Sequence, residues 1–135
     1  MLWIGIDPGT HTGLSVWDGK KFQVMSTMPI HDALEYVTRL SQEFGSQEIF
    51  VVFEDARQRT WYGEKSSAKL QGAGSIKRDC SIWEDFLHDH HIQFQAVPPQ
   101  KGATKLTPEY FSMITGWTKK TSNHARDAAM LVLGR

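Results

Sequence analysis

One short apolar run constrains the possible folds more than any other part of the chain. Residues 48–53 read Glu-Ile-Phe-Val-Val-Phe and predict a buried β-strand that leads straight into Glu54 and Asp55. Residues 2–7, Leu-Trp-Ile-Gly-Ile-Asp, predict a second buried strand that ends at Asp7, before a Pro-Gly turn. An acid at the end of an apolar strand usually faces the ligand crevice of an α/β sheet. The two runs therefore favour a sheet with carboxylates at one edge.

The remaining periodicity predicts three more strands and four helices. Residues 13–18 and 21–28 are typical of strands joined by an Asp-Gly hairpin, and residues 92–97 form a fifth strand candidate. Apolar residues recur at helical spacing in residues 29–44, 67–90, 107–114 and 122–133, with Gly45 as a stop and Ser122 or Asn123 as a cap. Without the short helix at 107–114, the order βββαβαβα predicts an α/β fold over residues 1–135, with a mixed five-stranded sheet, its first three strands antiparallel, flanked by helices.

Composition sets broad limits on the class of protein. The chain has 135 residues, 40% apolar and 22% charged, which suits one soluble globular domain. No apolar run approaches the roughly 20 residues that span a bilayer, and the N-terminus lacks the pattern of a signal peptide. A single cysteine, Cys80, cannot form an internal disulfide. These features predict a cytoplasmic protein without membrane contact.

Charge is unevenly distributed although the formal net charge is zero. Residues 1–56 hold eight acids and three bases. Residues 57–78 hold six bases and one acid, and residues 100–126 hold five bases and one acid. The two basic stretches predict a phosphate-binding surface beside an acidic site, while solvated loops and helix faces are the competing interpretation.

A third acid, Asp127, lies inside an otherwise small and apolar helix. Buried carboxylates repel one another unless a cation lies between them. If Asp7, Glu54 and Asp127 converge, they predict a site for Mg²⁺ or Mn²⁺, which prefer oxygen ligands. Two such ions about 4 Å apart can activate water and stabilise the leaving oxygen of a phosphodiester. His124, three positions before Asp127 and therefore on the same side of the helix, is a candidate metal ligand or proton-transfer group.

Three segments together resemble the RuvC family of Holliday junction resolvases, in the ribonuclease H-like superfamily. Residues 5–13, Gly-Ile-Asp-Pro-Gly-Thr-His-Thr-Gly, resemble the opening strand motif of that family. Phe53-Glu54 resembles its second acidic position. Residues 123–131, Asn-His-Ala-Arg-Asp-Ala-Ala-Met-Leu, resemble its closing helix, where a His or Asp stands three residues before an Asp.

The resemblance implies a ribonuclease H-like fold and a homodimeric endonuclease of DNA recombination and repair, with a compact phage-type member among the alternatives. Two metal-dependent sites would nick a four-way junction symmetrically, with Asp7, Glu54 and Asp127 as metal ligands, His124 as a ligand or proton-transfer group, and water as the nucleophile. Nucleic-acid contacts are predicted at six positions: Arg57, Arg59, Trp61, Tyr62, Lys101 and Lys105.

Three other functions remain open at this point. The chain could act on branched DNA more broadly, or on RNA or RNA–DNA hybrids like the YqgF relatives. It could also be a non-catalytic nucleic-acid-binding module whose acids are structural.

Overall fold

A five-stranded sheet organises the molecule. The computed structural model describes residues 1–58, 67–99 and 106–135, and side chains in the long helix are described at residues 72 and 74–89. The strands are β1 (Leu2–Asp7), β2 (His11–Trp17), β3 (Phe22–Pro29), β4 (Ile49–Glu54) and β5 (Gln93–Val97). The helices are α1 (Ile30–Phe44), α2 (Ser67–Asp89), α3 (Pro108–Thr115) and α4 (Asn123–Met130), and 3₁₀ turns occupy Ser46–Glu48 and Ala56–Gln58.

The strand order is β3-β2-β1-β4-β5. The first three strands form an antiparallel meander, whereas β4 runs parallel to both β1 and β5. Parallel neighbours need crossover connections, and α1 supplies the one between β3 and β4 while α2 supplies the one between β4 and β5. The predicted α/β fold with a mixed five-stranded sheet is therefore confirmed.

Three local predictions differ from the structure. The hairpin turn extends over residues 18–21, because the Asp18 carboxylate accepts hydrogen bonds from the backbone N–H groups of Lys20 and Lys21 and widens the Asp-Gly turn. Helix α4 ends at Met130 instead of residue 133, where hydrogen bonds from Leu131 and Val132 to carbonyls three residues earlier tighten the chain into turns. Helical spacing places Ile76 on the same face as Cys80 and Trp83 and predicts that it is buried, but Ile76 is 41% exposed.

Two apolar layers cover the sheet, one on each face. Alternate strand residues such as Ile4, Ile6 and Val51 pack against α1 and α2 through Val37 and Trp83. The opposite face carries the cluster of Trp17, Phe22, Val52, Phe111, Ala129 and Val132, to which α3 and α4 contribute. Side chains on a strand alternate between faces, so each central strand contributes to both layers. Within the described ranges, no helix has the length and apolar character needed to cross a membrane.

Candidate active site

Two predicted site carboxylates lie at the ends of adjacent parallel strands. The register of β1 and β4 pairs Ile6 with Phe53, and Asp7 and Glu54 are the next residue in each strand. Neighbouring strands are about 4.8 Å apart, so the two backbones leave the sheet side by side. Asp7 shares its sheet face with Gly5, against which α4 packs, and Glu54 shares its face with Val52, which belongs to the α3 and α4 layer. Both acids therefore belong to one edge and one face of the sheet.

Helix α4 brings a third predicted residue to that edge. Nδ1 of His124 lies 2.9 Å from Oδ2 of Asp7, although 117 residues separate the two in the chain. The Asp7 side chain is 15% exposed and the His124 side chain 51% exposed, so the pair opens to solvent on the histidine side. With a proton on Nδ1, the imidazole donates to the carboxylate.

Two glycines let α4 approach the sheet at backbone distance. A Cβ atom placed on Gly13 would lie 2.0 Å from the carbonyl oxygen of His124, and one on Gly5 would lie 2.0 Å from the carbonyl oxygen of Ala128. Any larger residue at either position would push the helix outwards. The absence of side chains at Gly5 and Gly13 is therefore what allows the short Asp7–His124 contact.

The start of α4 is held in place by its own side chains. Ser122 caps the helix by accepting a hydrogen bond from the backbone N–H of Ala125, and its hydroxyl contacts that of Thr27 on β3. Arg126 is buried and donates to the backbone oxygen of Thr121 at 2.7 Å and to the Asn123 side chain. These contacts set the rotation of the helix, which places Asp127 one turn from His124 on the same flank.

The donor types at this edge fit a hard divalent cation. Carboxylate oxygens are the ligands that Mg²⁺ and Mn²⁺ prefer, whereas an imidazole is a more usual ligand of softer transition metals. In the described part of the chain, no three His, Cys, Asp or Glu side chains are arranged as a ready-made metal-binding group. Oδ2 of Asp7 keeps a second lone pair beside the His124 ring and can still bind an ion. The donor types therefore fit the ion, while the described side chains do not form a complete ligand set.

An ion-pair cluster beside Glu54 was not anticipated from the sequence. Asp55 has a side chain only 5% exposed, and Arg57 binds it through Nε at 2.8 Å and Nη2 at 3.0 Å. Arg57 also contacts the carboxylate of Glu84 on α2. Hydrogen bonding to the two carboxylates raises the pKa of the Arg57 guanidinium. Glu84 lies 27 residues further along the chain, and no periodic pattern in the sequence links it to Arg57.

Of the six predicted nucleic-acid contacts, the structure describes only Arg57. Its guanidinium is occupied by the two carboxylates, and its side chain is 29% exposed. Arg59, Trp61, Tyr62, Lys101 and Lys105 lie outside the described residues. Their contact with nucleic acid remains a prediction.

No protein-family profile matches the chain, and no curated protein matches it in sequence. Among solved structures, it resembles RuvC of T. thermophilus in complex with a Holliday junction substrate, with a TM-score of 0.62 and 17% sequence identity. The match covers 99% of this chain and 91% of that one. The chain therefore has the ribonuclease H-like fold of RuvC, as the motifs predicted.

Proposed function

We propose that this protein is a metal-dependent endonuclease that hydrolyses phosphodiester bonds in branched DNA, with the four-way junction as its substrate. The observation that carries the proposal is the contact of His124 with Asp7 at the sheet edge where Glu54 also ends. The RuvC-like fold supports the same assignment, because the solved relative holds a Holliday junction. Fold alone does not determine activity, so the assignment depends on these side chains.

In this proposal Asp7, Glu54, His124 and Asp127 hold the divalent cations, Mg²⁺ or Mn²⁺, with two per site. When bound, the cations supply the charge that activates water and stabilises the leaving oxygen. The side chains of this protein hold and orient the cations. The carboxylates of Asp7, Glu54 and Asp127 supply negative oxygen donors, and the half-exposed His124 ring either joins them as a ligand or moves a proton at Nδ1.

We further propose that the working form is a homodimer, so that two sites face opposite strands of the junction. Arg59, Lys101 and Lys105 supply cations for phosphates, and Trp61 and Tyr62 supply aromatic faces for unpaired bases. The proposed setting is DNA recombination and repair in the cytoplasm, in keeping with a single buried thiol.

A substrate panel tests the proposal. Purified protein is incubated with a labelled four-way junction, flap, duplex, single strand and RNA–DNA hybrid, with and without Mg²⁺. We expect symmetric nicks in the junction that require Mg²⁺. We expect Asp7→Asn to lower the rate by about 1,000-fold or more while junction binding persists, because a ligand is lost but the fold is not. Asp89→Asn, an exposed acid at the far end of α2, is the matched control and should cut normally.

Other results point to the other functions. Preference for the hybrid would indicate a ribonuclease. Junction binding without cutting of any substrate would indicate a binding module. Equal cutting by wild type and Asp7→Asn would show that the acidic edge is not the active site.

A further inference from the structure

The end of β4 is tied to its surroundings on two sides. The carbonyl oxygen of Glu54 accepts a contact from Sγ of Cys80 on α2 at 3.6 Å. The backbone N–H of Asp55 donates to the carbonyl oxygen of Val97 on β5 at 2.7 Å. These two groups belong to the same peptide plane, the one that follows the Glu54 Cα atom. Its orientation is therefore set by α2 on one side and by β5 on the other.

The Asp55 side chain extends this attachment to α2. Both of its oxygens bind Arg57, which also contacts Glu84 and lies 3.4 Å from the Ser81 hydroxyl. Gln58 adds a second link, since its amide donates to Asp55 at 3.2 Å and to the carbonyl oxygen of Ala96 on β5 at 3.3 Å. Asp55, Arg57 and Glu84, here called the β4–α2 bridge, thus join the strand end to the helix.

We propose that Arg57 is a positioning residue, which through the β4–α2 bridge holds the Glu54 carboxylate at the sheet edge and makes no contact with DNA phosphate. The inference rests on the proposed function, because the position of Glu54 matters for catalysis only if Glu54 holds the cation. It differs from the expectation drawn from the sequence, in which Arg57 was a phosphate ligand.

The charges favour positioning over phosphate binding. Arg57 is matched by two carboxylates, and the Asp55 side chain is almost fully buried. If Arg57 turned to a phosphate, it would leave the Asp55 carboxylate buried without its main partner, which is costly. Bidentate geometry also suits a permanent structural pair, since both N–H groups bind the two oxygens at 2.8 and 3.0 Å.

The first test separates the two roles of Arg57 kinetically. We expect Arg57→Gln to lower kcat by at least about tenfold and to raise the Mg²⁺ concentration for half-maximal cutting, because a slightly displaced ligand weakens catalysis. Junction affinity measured without divalent ions, and its dependence on salt, should stay as in wild type. Arg39→Gln, an exposed arginine on α1, is the matched control and should change neither quantity. An unchanged kcat with a salt slope smaller by about 0.9 would instead identify a phosphate contact and overturn the proposal.

Glu84→Gln gives a second, independent comparison. It weakens the β4–α2 bridge while leaving the Asp55–Arg57 pair in place, so that folding is less at risk. We expect kcat to fall in the same direction as in Arg57→Gln, with junction affinity unchanged. If Arg57 were a phosphate ligand, removing a competing carboxylate would tighten junction binding and leave kcat intact, which would contradict the proposal. Glu35→Gln on α1 is the control.

A third measurement does not depend on activity. Cys80 is the only cysteine, is fully buried and contacts the Glu54 carbonyl, so its modification by a thiol reagent reports opening of the strand end. Burial raises the pKa of this thiol to about 11, which keeps the wild-type reaction slow. We expect Arg57→Gln to speed modification by about tenfold under native conditions through local opening. Val37→Ala, a destabilising core change on α1, controls for lost stability and should have a smaller effect at equal unfolding free energy.

These results separate the two proposals. If wild type cuts none of the substrates, the proposed function has failed, whereas the Cys80 measurement still shows whether the β4–α2 bridge holds the strand end. If wild type cuts the junction but Arg57→Gln changes neither kcat nor thiol reactivity, positioning by Arg57 is wrong and the proposed function stands.

Discussion

Asp55 shows how one residue can shape a site without belonging to it. Burial alone would raise the pKa of its carboxyl group, but hydrogen bonds from the side chains of Arg57 and Gln58 outweigh burial and lower the pKa below the ordinary 3.8. A group with a lowered pKa in the folded state stabilises that state above its unfolded pKa, and this contribution disappears as the pH falls through the folded value. Asp55 should therefore contribute to stability at neutral pH and not in strong acid.

We predict that Asp55→Asn lowers the free energy of unfolding by about 2 kcal/mol at pH 7, because charged hydrogen bonds to Arg57 are lost. The difference from wild type should begin to shrink below about pH 4, the ordinary carboxyl pKa, and should disappear as the pH falls through the lowered pKa of folded Asp55. Urea denaturation at pH 7 and pH 2.5 measures both values. The exposed control Asp89→Asn should differ from wild type by less than about 0.5 kcal/mol at either pH. A pH-independent Asp55→Asn difference would rule out this linkage.

At the same scale, the sequence predicted some site residues and missed others for physical reasons. Asp7 and Glu54 could be predicted because each ends an apolar strand, and parallel strand ends meet at one edge. His124 could be predicted because helical spacing links it to Asp127. The contact between Arg57 and Glu84 could not be predicted, because long-range ion pairs leave no periodic signal in the sequence. The predicted contacts at Arg59, Trp61, Tyr62, Lys101 and Lys105 remain predictions.

Among the elements, α4 depends most on close packing against the sheet. It contributes two predicted site residues and lies at backbone distance from β1 and β2 over Gly5 and Gly13. Its existence and its cap at Ser122 were predicted from sequence, whereas the close approach was not, since a glycine in a strand predicts only that something comes near. What comes near is decided by the packing of the whole sheet.

We predict that Gly13→Ala destabilises the protein by about 3 kcal/mol, because its methyl group overlaps the His124 carbonyl. The same change at Gly72 in α2, where a Cβ meets no atom within 4 Å, should stabilise the protein by up to about 1 kcal/mol through helix propensity. Thermal or urea denaturation of the two variants measures the sign of each change in the free energy of unfolding. A neutral Gly13→Ala would mean that α4 does not pack as closely as the structure shows.

On the scale of the whole molecule, β1 and β4 lie in the interior of the sheet. Together with β2 they are the strands paired on both sides in the order β3-β2-β1-β4-β5, and Ile4, Ile6, Val51, Val52 and Phe53 are at most 1% exposed. The predicted succession of strands and helices gave a mixed sheet with three antiparallel strands first, but not that β4 would lie beside β1 instead of β3. The strand register did not follow from the sequence, because a pattern of apolar residues does not specify which partner each residue meets across the ladder.

We predict that the backbone amides of β1 and β4 exchange with solvent only through global unfolding, and those of β3 and β5 through smaller openings. The two edge strands are each paired on one side only within the described sheet. Native-state hydrogen exchange followed by NMR, at increasing denaturant, separates the two classes. Equal protection in β3 and β1 would contradict this hierarchy.

The pairing of the first strand with the last helix has a consequence for synthesis. The ribosome makes His124 and Asp127 more than a hundred residues after Asp7. A nascent chain can therefore contain the strand meander and β4 long before α4 has been synthesised. On the proposed assignment, a polypeptide released before Asp127 would be harmless to the genome, because it would lack a residue that hydrolysis requires.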